Sequence, residues 1–417
     1  MLGARFSVLG SRFSVLLSMQ HILHIPSWYP DATDPVAGEF FRAQVLALGR
    51  TGMRVGVIAP HLRSLREAPQ RWRRGDRRGV TYELDNGIPT YRYDGWFWLT
   101  LVPRWNAELW VQATLRLFRR YVRAHGMPDL IHAHCGLHAG MAALRIHKQY
   151  QLPYVISEHY SGFFQRTFTP WQVPWLRQAF RAAAGCAAVS PALQHAMGEV
   201  LGHEAIRACE WIPNLLAPLF AHAPLAAPPA TGFCLLNIGQ LIPLKGQAEL
   251  LDAFARAFRG NAAAQLRIIG DGPLRPQLEH LAQTLGIAAQ VTLLGKLTRD
   301  QVLAQLQNAH ALVVASHYET FSVVVIEAHA CGRPVVATRC GGPETLITPQ
   351  NGLLVPNHDP PALAQALRQM YETWQQYDPP ALRQHCIEHF GEQAVVTMIR
   401  EWYQQARAAY QQPISRR

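Results

Sequence analysis

Nowhere in the 417 residues do the roughly 18 uninterrupted apolar residues of a membrane-crossing helix occur. The most apolar segments, Ala311 to Ala315 and Phe321 to Ala330, are short or broken, so the chain is read as not spanning a bilayer. No Cys-x-x-Cys pair occurs among its seven widely spaced cysteines, and with their odd number this signals neither a disulfide framework nor a zinc site. A reducing cytoplasm is the expected compartment. Low complexity is absent too. The 29 prolines and 30 glycines are spread along a chain that is 49% hydrophobic and 16% charged, which excludes disordered and collagen-like designs. Helix-turn-helix, zinc-finger and RNA-recognition signatures are missing, so a nucleic acid is not an expected partner. Lysine is scarce, at three against 36 arginines.

What is present is a length that suggests two or three domains, at roughly 100 to 200 residues each. Short, unalternating β-rich runs are separated by helical stretches throughout. They lie at His21 to Ile25, Arg54 to Ala59, Leu130 to Ala133, Tyr154 to Ser157 and Cys186 to Ser190, then at Phe233 to Ile238, Leu266 to Ile269, Val291 to Leu294, Ala311 to Ala315 and Pro334 to Ala337. Such runs belong to parallel sheets covered on both faces. Between the two sets, 215–231 holds Pro218, Pro224, Pro228 and Pro229 among alanines without strand or helix period, and reads as a linker. Two doubly wound α/β domains are therefore expected, 19–214 and 232–385. A helical tail at 386–417 would pack back on the first domain, and ligand is expected where the carboxyl ends of the two sheets face each other. Residues 1–18 repeat Arg-Phe-Ser-Val-Leu and lack a signal-peptide cleavage site, so they are read as an extension upstream of a start at Met19, with a weak membrane-surface segment as the other reading.

The net charge of +11 is uneven: 24 basic against 14 acidic residues up to Asn214, and 15 against 14 after it. Arg63, Arg66, Arg71, Arg73, Arg74, Arg77 and Arg78 crowd around Trp72, and Trp96, Phe97, Trp98, Trp105 and Trp110 follow. Val111 to Arg123 sets Val111, Leu115, Phe118 and Val122 on one helical face and four arginines off it. A basic, aromatic, amphipathic surface suits anionic lipid. Codon bias and a solvated face remain the plain alternative.

Three strand ends carry loop chemistry. Asn237 to Gly246 delivers Lys245 just before a glycine-assisted helix start, where it can meet a diphosphate. Ile269 to Pro273 is a tight turn with Gly270 and Gly272, which backbone geometry alone would also explain. Tyr318 to Ser322 leads into a helix over Val323 to Ala330, with Glu319 at its mouth and Glu327 about two turns deeper. Free amides near Thr320, Phe321 and Ser322 and the positive helix end would face phosphates between the two carboxylates. Taken alone, Glu319 also reads as an N-terminal helix carboxylate and Glu327 as a surface residue.

The Glu319 to Glu327 spacing resembles the Glu-x7-Glu motif of retaining family 4 glycosyltransferases of GT-B fold. Ala330 to Ala337, Gly341 to Glu344 and Asn351 to Val355 fit the same pattern, and Pro26 to Pro30 leading to Gly38 to Phe41 resembles the opening loop of bacterial surface-polysaccharide members. The resemblance covers about Gln20 to Met370. It implies that Glu319 contacts the transferred sugar, Glu327 the ribose and Lys245 the diphosphate, that Gly38 allows close approach of the opening loop, and that His134 reaches the reacting sugar. His132 is assigned a structural place, on the reading that the two rings point to opposite faces of their strand. The family's second diphosphate cation is an arginine where this chain has Gln240, and its Pro-Asn-Gly-Val-Asp is altered to Pro213-Asn214-Leu215-Leu216. Asp-x-Asp is absent, so no metal and no other cofactor is expected beside the nucleotide-sugar donor. The expected partners are a nucleotide sugar, a saccharide or lipid-linked saccharide acceptor and an anionic membrane surface. The expected location is cytoplasmic, extending to the inner face of the cell membrane. The rival readings are another GT-B enzyme, such as a nucleotide-sugar 2-epimerase or a phosphorylase, and a non-catalytic membrane-surface protein.

Overall fold

The computed structural model describes residues 21–31, 34, 37–64, 79–97 and 103–411. The expected extension at 1–18, Met19 and the cluster Arg66, Arg71, Trp72, Arg73, Arg74, Arg77, Arg78 with Trp98 lie outside these residues. In chain order the strands of the first half are β1 (His21–Pro26), β2 (Arg54–Ser64), β3 (Gly79–Asp85), β4 (Ile88–Phe97), β5 (Leu130–His134), β6 (Tyr154–Glu158), β7 (Gly185–Ala188) and β8 (Cys209–Trp211). They form one sheet in the order β3-β4-β2-β1-β5-β6-β7-β8. The second half gives β9 (Phe233–Ile238), β10 (Ala264–Ile269), β11 (Val291–Gly295), β12 (Ala311–Val314), β13 (Val335–Thr338) and β14 (Gly352–Val355), ordered β11-β10-β9-β12-β13-β14. Every pairing is parallel except β3 with β4. The expected two doubly wound parallel-sheet domains are present.

Burial explains the strand composition. β1, β5 and β6 are buried at every position, as are β12 and β13, because helices cover both faces. The β3–β4 hairpin was not expected from the sequence, although Asn86 (φ 49°) and Gly87 (φ 85°) form the left-handed two-residue turn that Asn-Gly favours. The short edge strand β8 and β14 were also missed.

Each sheet reverses its strand order once, between β1 and β5 in the first and between β9 and β12 in the second. The crevices at the carboxyl ends of those pairs are the natural ligand positions.

Two expected boundaries move. Part of 215–231 is helical, at Pro218–His222, where Pro218 starts a short turn that buries Phe220. A division at 385/386 would cut the helix Pro379–Phe390, which buries Leu382, Cys386 and Phe390 on one face. The helix Glu392–Gln411 lies against the first sheet: Trp402 and Tyr403 are buried, and the Tyr403 hydroxyl meets His132 Nδ1 at 2.6 Å.

The helix Pro103–His125 turns Trp110, Val111, Leu115, Phe118 and Tyr121 into the core. Its apolar face is therefore taken by the protein and does not lie against lipid. Arg116, Arg119, Arg120 and Arg123 are left exposed. No helix among the described residues is long and apolar enough to cross a membrane.

Candidate active site

Adjacent strands bring the second-domain residues together. The loop after β9 runs to Lys245 and turns into the helix Gln247–Phe258 at Gly246 (φ 61°), where a Cβ would lie 2.0 Å from the carbonyl oxygen of Ala315. Only glycine lets the loop approach the end of β12 so closely. Lys245 Nζ consequently stands 2.6 Å from Glu319 Oε1, which also accepts from Ser316 Oγ at 2.7 Å. Gly272 supports this loop from beneath, since a Cβ there would meet the Leu241 carbonyl oxygen at 2.5 Å, and Leu241 N donates to Asp271 O. The Gln240 side chain is exposed, and its carbonyl accepts from Gln247 Nε2.

After Glu319 the chain passes Thr320, which is half-buried, and Phe321, which is buried against Phe390 with ring centroids 5.8 Å apart. Ser322 caps the helix Val323–Ala330 with φ 76° and ψ 73°, a left-handed conformation for a residue that has a Cβ, and its buried Oγ has no hydrogen-bond partner. An uncompensated hydroxyl and a strained backbone at one residue mark the helix mouth as a place where conformational energy is stored. Glu327 is fully buried, which corrects the surface reading. The Arg299 guanidinium engages both its carboxylate oxygens and lies 4.6 Å over the Phe220 ring. Burial pushes the Glu327 pKa up, and Arg299 opposes that shift. Sequence reasoning missed Arg299. A cation in the first turn of a helix opposes the helix dipole, and that was the available signal.

On the opposite side, His134 does not reach the cleft. It is fully buried, with His24 Nδ1 3.0 Å from its Nε2 and the Phe41 ring 4.6 Å away. Nor do His132 and His134 face opposite ways: their rings stack at 4.0 Å, because residues two apart on a strand share a face. His132 Nε2 and His159 Nε2 both meet Ser157 Oγ, at 2.8 and 3.1 Å. Burial lowers the pKa of all four rings, to about 3 for His24 and His159, so the layer is neutral at pH 7.

The histidine that opens outward is His138, four residues on. It has φ 63° and ψ −71°, and burial pushes its pKa down to about 4. With Trp28, Asp31, His61, Arg63 and Trp110 it lines a cavity of about 410 Å³ at the carboxyl ends of β1, β2 and β4. The turn before it is pinned by the buried carboxylate of Glu158, which accepts from Gly136 N, His159 N and Tyr160 N at 2.8 to 2.9 Å. Gly38 (φ 74°) caps the helix Glu39–Arg50, and a Cβ there would lie 2.6 Å from Trp28 O, so the two parts of the opening loop touch at this glycine. Across the cleft, Phe164 of the first domain stacks on Tyr318 at 6.0 Å.

A family model described as Glycosyltransferase Family 4 matches residues 38–215, and one described as Glycosyl transferases group 1 matches 232–373. The chain carries these two glycosyltransferase domains one after the other. It is a transferase that takes its sugar from a nucleotide-sugar donor. It is 28% identical over 375 residues to a Bacillus subtilis protein named as a teichuronic acid biosynthesis glycosyltransferase, TuaC, covering 86% of this chain and 90% of that one. A glycogen synthase of Mycobacterium tuberculosis is 28% identical over 321 residues, 73% of this chain and 75% of that one. Among solved structures, sucrose-phosphate synthase of Thermosynechococcus elongatus superposes with a TM-score of 0.74 at 22% identity, over 94% of this chain and all of that one. HepE of Anabaena in complex with UDP-glucose gives 0.68 at 19%, over 92% and 99%. These neighbours share the GT-B fold.

Two outcomes follow for the site's energetics. The buried histidines take up protons only when the chain unfolds, so below the unfolded value of about 6.5 the unfolded state binds more protons and stability falls as the pH drops. Urea midpoints should be lower at pH 5.5 than at pH 7.5, and an unchanged midpoint would contradict a neutral buried layer. Ser322→Gly removes a left-handed Cβ and an unpaired hydroxyl, and should raise unfolding stability by about 1 kcal/mol while weakening donor binding. Denaturant titration and donor affinity measured on one preparation check both halves.

Proposed function

We propose that this glycosyltransferase moves a sugar, with retention of anomeric configuration, from a nucleoside diphosphate to a saccharide or lipid-linked saccharide acceptor in bacterial surface-polysaccharide synthesis. The observation that carries the reading is the Lys245–Glu319 pair at the mouth of the helix Val323–Ala330. In the transfer, the bond between the anomeric carbon and the phosphate oxygen breaks and the sugar passes through an oxocarbenium-like state. Negative charge grows on the departing diphosphate, where the Lys245 ammonium and the helix amides stabilise it. The acceptor hydroxyl forms the new bond, and its proton leaves with the diphosphate. Glu319, released from Lys245 when phosphate takes the cation, turns to the hydroxyls of the transferred sugar. Glu327 would exchange Arg299 for the ribose hydroxyls. The cavity beside His138 offers aromatic faces and carboxylates, the two kinds of group that bind sugars, and suits the acceptor. No metal has a role in this chemistry. The similarity to TuaC supports the polysaccharide assignment.

Lys245→Ala and Glu319→Ala should each lower kcat by about a hundredfold or more, whereas Glu327→Gln should act mainly on the donor KM. Activity should persist in EDTA. The first donor is found by a thermal-shift screen of nucleotide sugars, and NMR of the product gives the anomeric outcome. Unchanged kcat/KM in Glu319→Ala, or an inverted product, would overturn the reading.

The acceptor reading extends to location. Exposed Arg116, Arg119, Arg120 and Arg123, together with Trp105 at 61% exposure, form a basic surface on the acceptor-side domain. Each arginine contributes about 1 kcal/mol near anionic lipid, screened over about 10 Å at 0.1 M salt. The protein should co-sediment with anionic vesicles at low salt and lose this when the four arginines become serine. Wild type remaining in the supernatant would favour a soluble acceptor.

A further inference from the structure

Glu249, His317 and His358 come from three separate elements: the first turn of the helix Gln247–Phe258, the loop after β12 and the loop after β14. His317 Nε2 lies 2.7 Å from Glu249 Oε2, and His358 Nδ1 lies 3.6 Å from Oε1 of the same carboxylate. The two imidazole rings are 4.2 Å apart at 43°, and one ligand atom from each of the three residues falls within 4.8 Å of the others. We propose that these residues form a binding site for a divalent transition-metal ion of the zinc type, separate from the transfer chemistry.

The geometry fits. Zinc bonds of about 2.0 to 2.2 Å at tetrahedral angles place ligand atoms roughly 3.3 Å apart, within the spread these three atoms already show. Two imidazoles and one carboxylate suit zinc, cobalt or nickel, whereas magnesium and calcium take oxygen shells. His317 is held from both sides of its peptide, by its N–H to Leu244 O at 2.9 Å and by Asn357 Nδ2 on its carbonyl at 2.8 Å. His358 is 59% exposed, which leaves an entry path and room to adjust, and water completes the coordination. The second such cluster, the three histidines His24, His132 and His134, offers no such site. It is fully buried, two of its rings are stacked, and both His132 nitrogens already have partners.

An ion here would staple the loop that carries Lys245 to the loop that carries Glu319, because His317 bonds to Leu244 and stands two residues before Glu319. It would raise stability without entering the reaction, so chelation should lower the melting temperature and leave turnover in place.

The test uses the full chain, purified without a histidine tag and stripped by chelator, titrated with Co²⁺ and then competed with Zn²⁺. One equivalent of Co²⁺ with the intense visible bands of a four- or five-coordinate ion, and a Zn²⁺-dependent rise in melting temperature, are expected. His358→Ala and Glu249→Gln should each weaken binding by about tenfold or more. The metal-free melting of His358→Ala should equal that of wild type, since the side chain is exposed. His385 and His389, an exposed pair with rings 4.2 Å apart on the helix Pro379–Phe390, serve as the control. Wild-type affinity in His358→Ala, a weak six-coordinate spectrum, or loss of binding in His389→Ala instead would overturn the proposal.

Discussion

Lys245 and Glu319 are 74 residues apart in sequence and meet because β9 and β12 are neighbours at the reversal of strand order in the second sheet. The rest of the site depends on that adjacency. The carboxyl ends of the two strands lie side by side, and Gly246 allows the first loop to touch the end of the second strand at Ala315. A side chain there would hold the loops apart and separate the cation from the carboxylate. The same adjacency places Lys245 beside the segment that leads from Glu319 into the positive end of the helix Val323–Ala330.

The charges of the site neutralise one another. Lys245 is held by Glu319, and Arg299 by the buried Glu327. In the function proposed above, substrate would exchange one set of partners for another and create no bare charge. A buried carboxylate that loses its cation costs several kcal/mol, so the burial of Glu327 depends on Arg299. The first domain solves its burial problem differently, with neutral imidazoles bonded to Ser157, Tyr403 and each other. Glu158 is the exception there. Three backbone amides hold its carboxylate, and they fix the turn from which His138 emerges.

Much of this was legible in the sequence. Buried parallel strands read as continuous apolar runs, and their turn residues mark where loops begin, so the two sheets and the loops of Lys245 and Glu319 could be placed directly. Side-chain partners could not. The burial of Glu327 depends on Arg299, 28 residues earlier, and on Phe220 in the segment read as a structureless linker. The histidines were misassigned for a different reason: strand periodicity, applied correctly, puts His132 and His134 on one face, beneath the helix that ends the described chain. His138 escaped notice because nothing in the local pattern announces a strained turn. The β3–β4 hairpin had its Asn-Gly signal and was overlooked.

The helix Glu392–Gln411 returns from the second domain to cover β6 and β7 of the first, with Trp402 packed where Gly185 leaves room. The chain therefore crosses between domains twice, and the first domain is not finished by its own residues. During synthesis its sheet must wait, with the faces of β5, β6 and β7 uncovered, until the entire second domain has left the ribosome. Completion of the first domain is thus tied to completion of the second, and a product truncated before Glu392 would leave the first domain open.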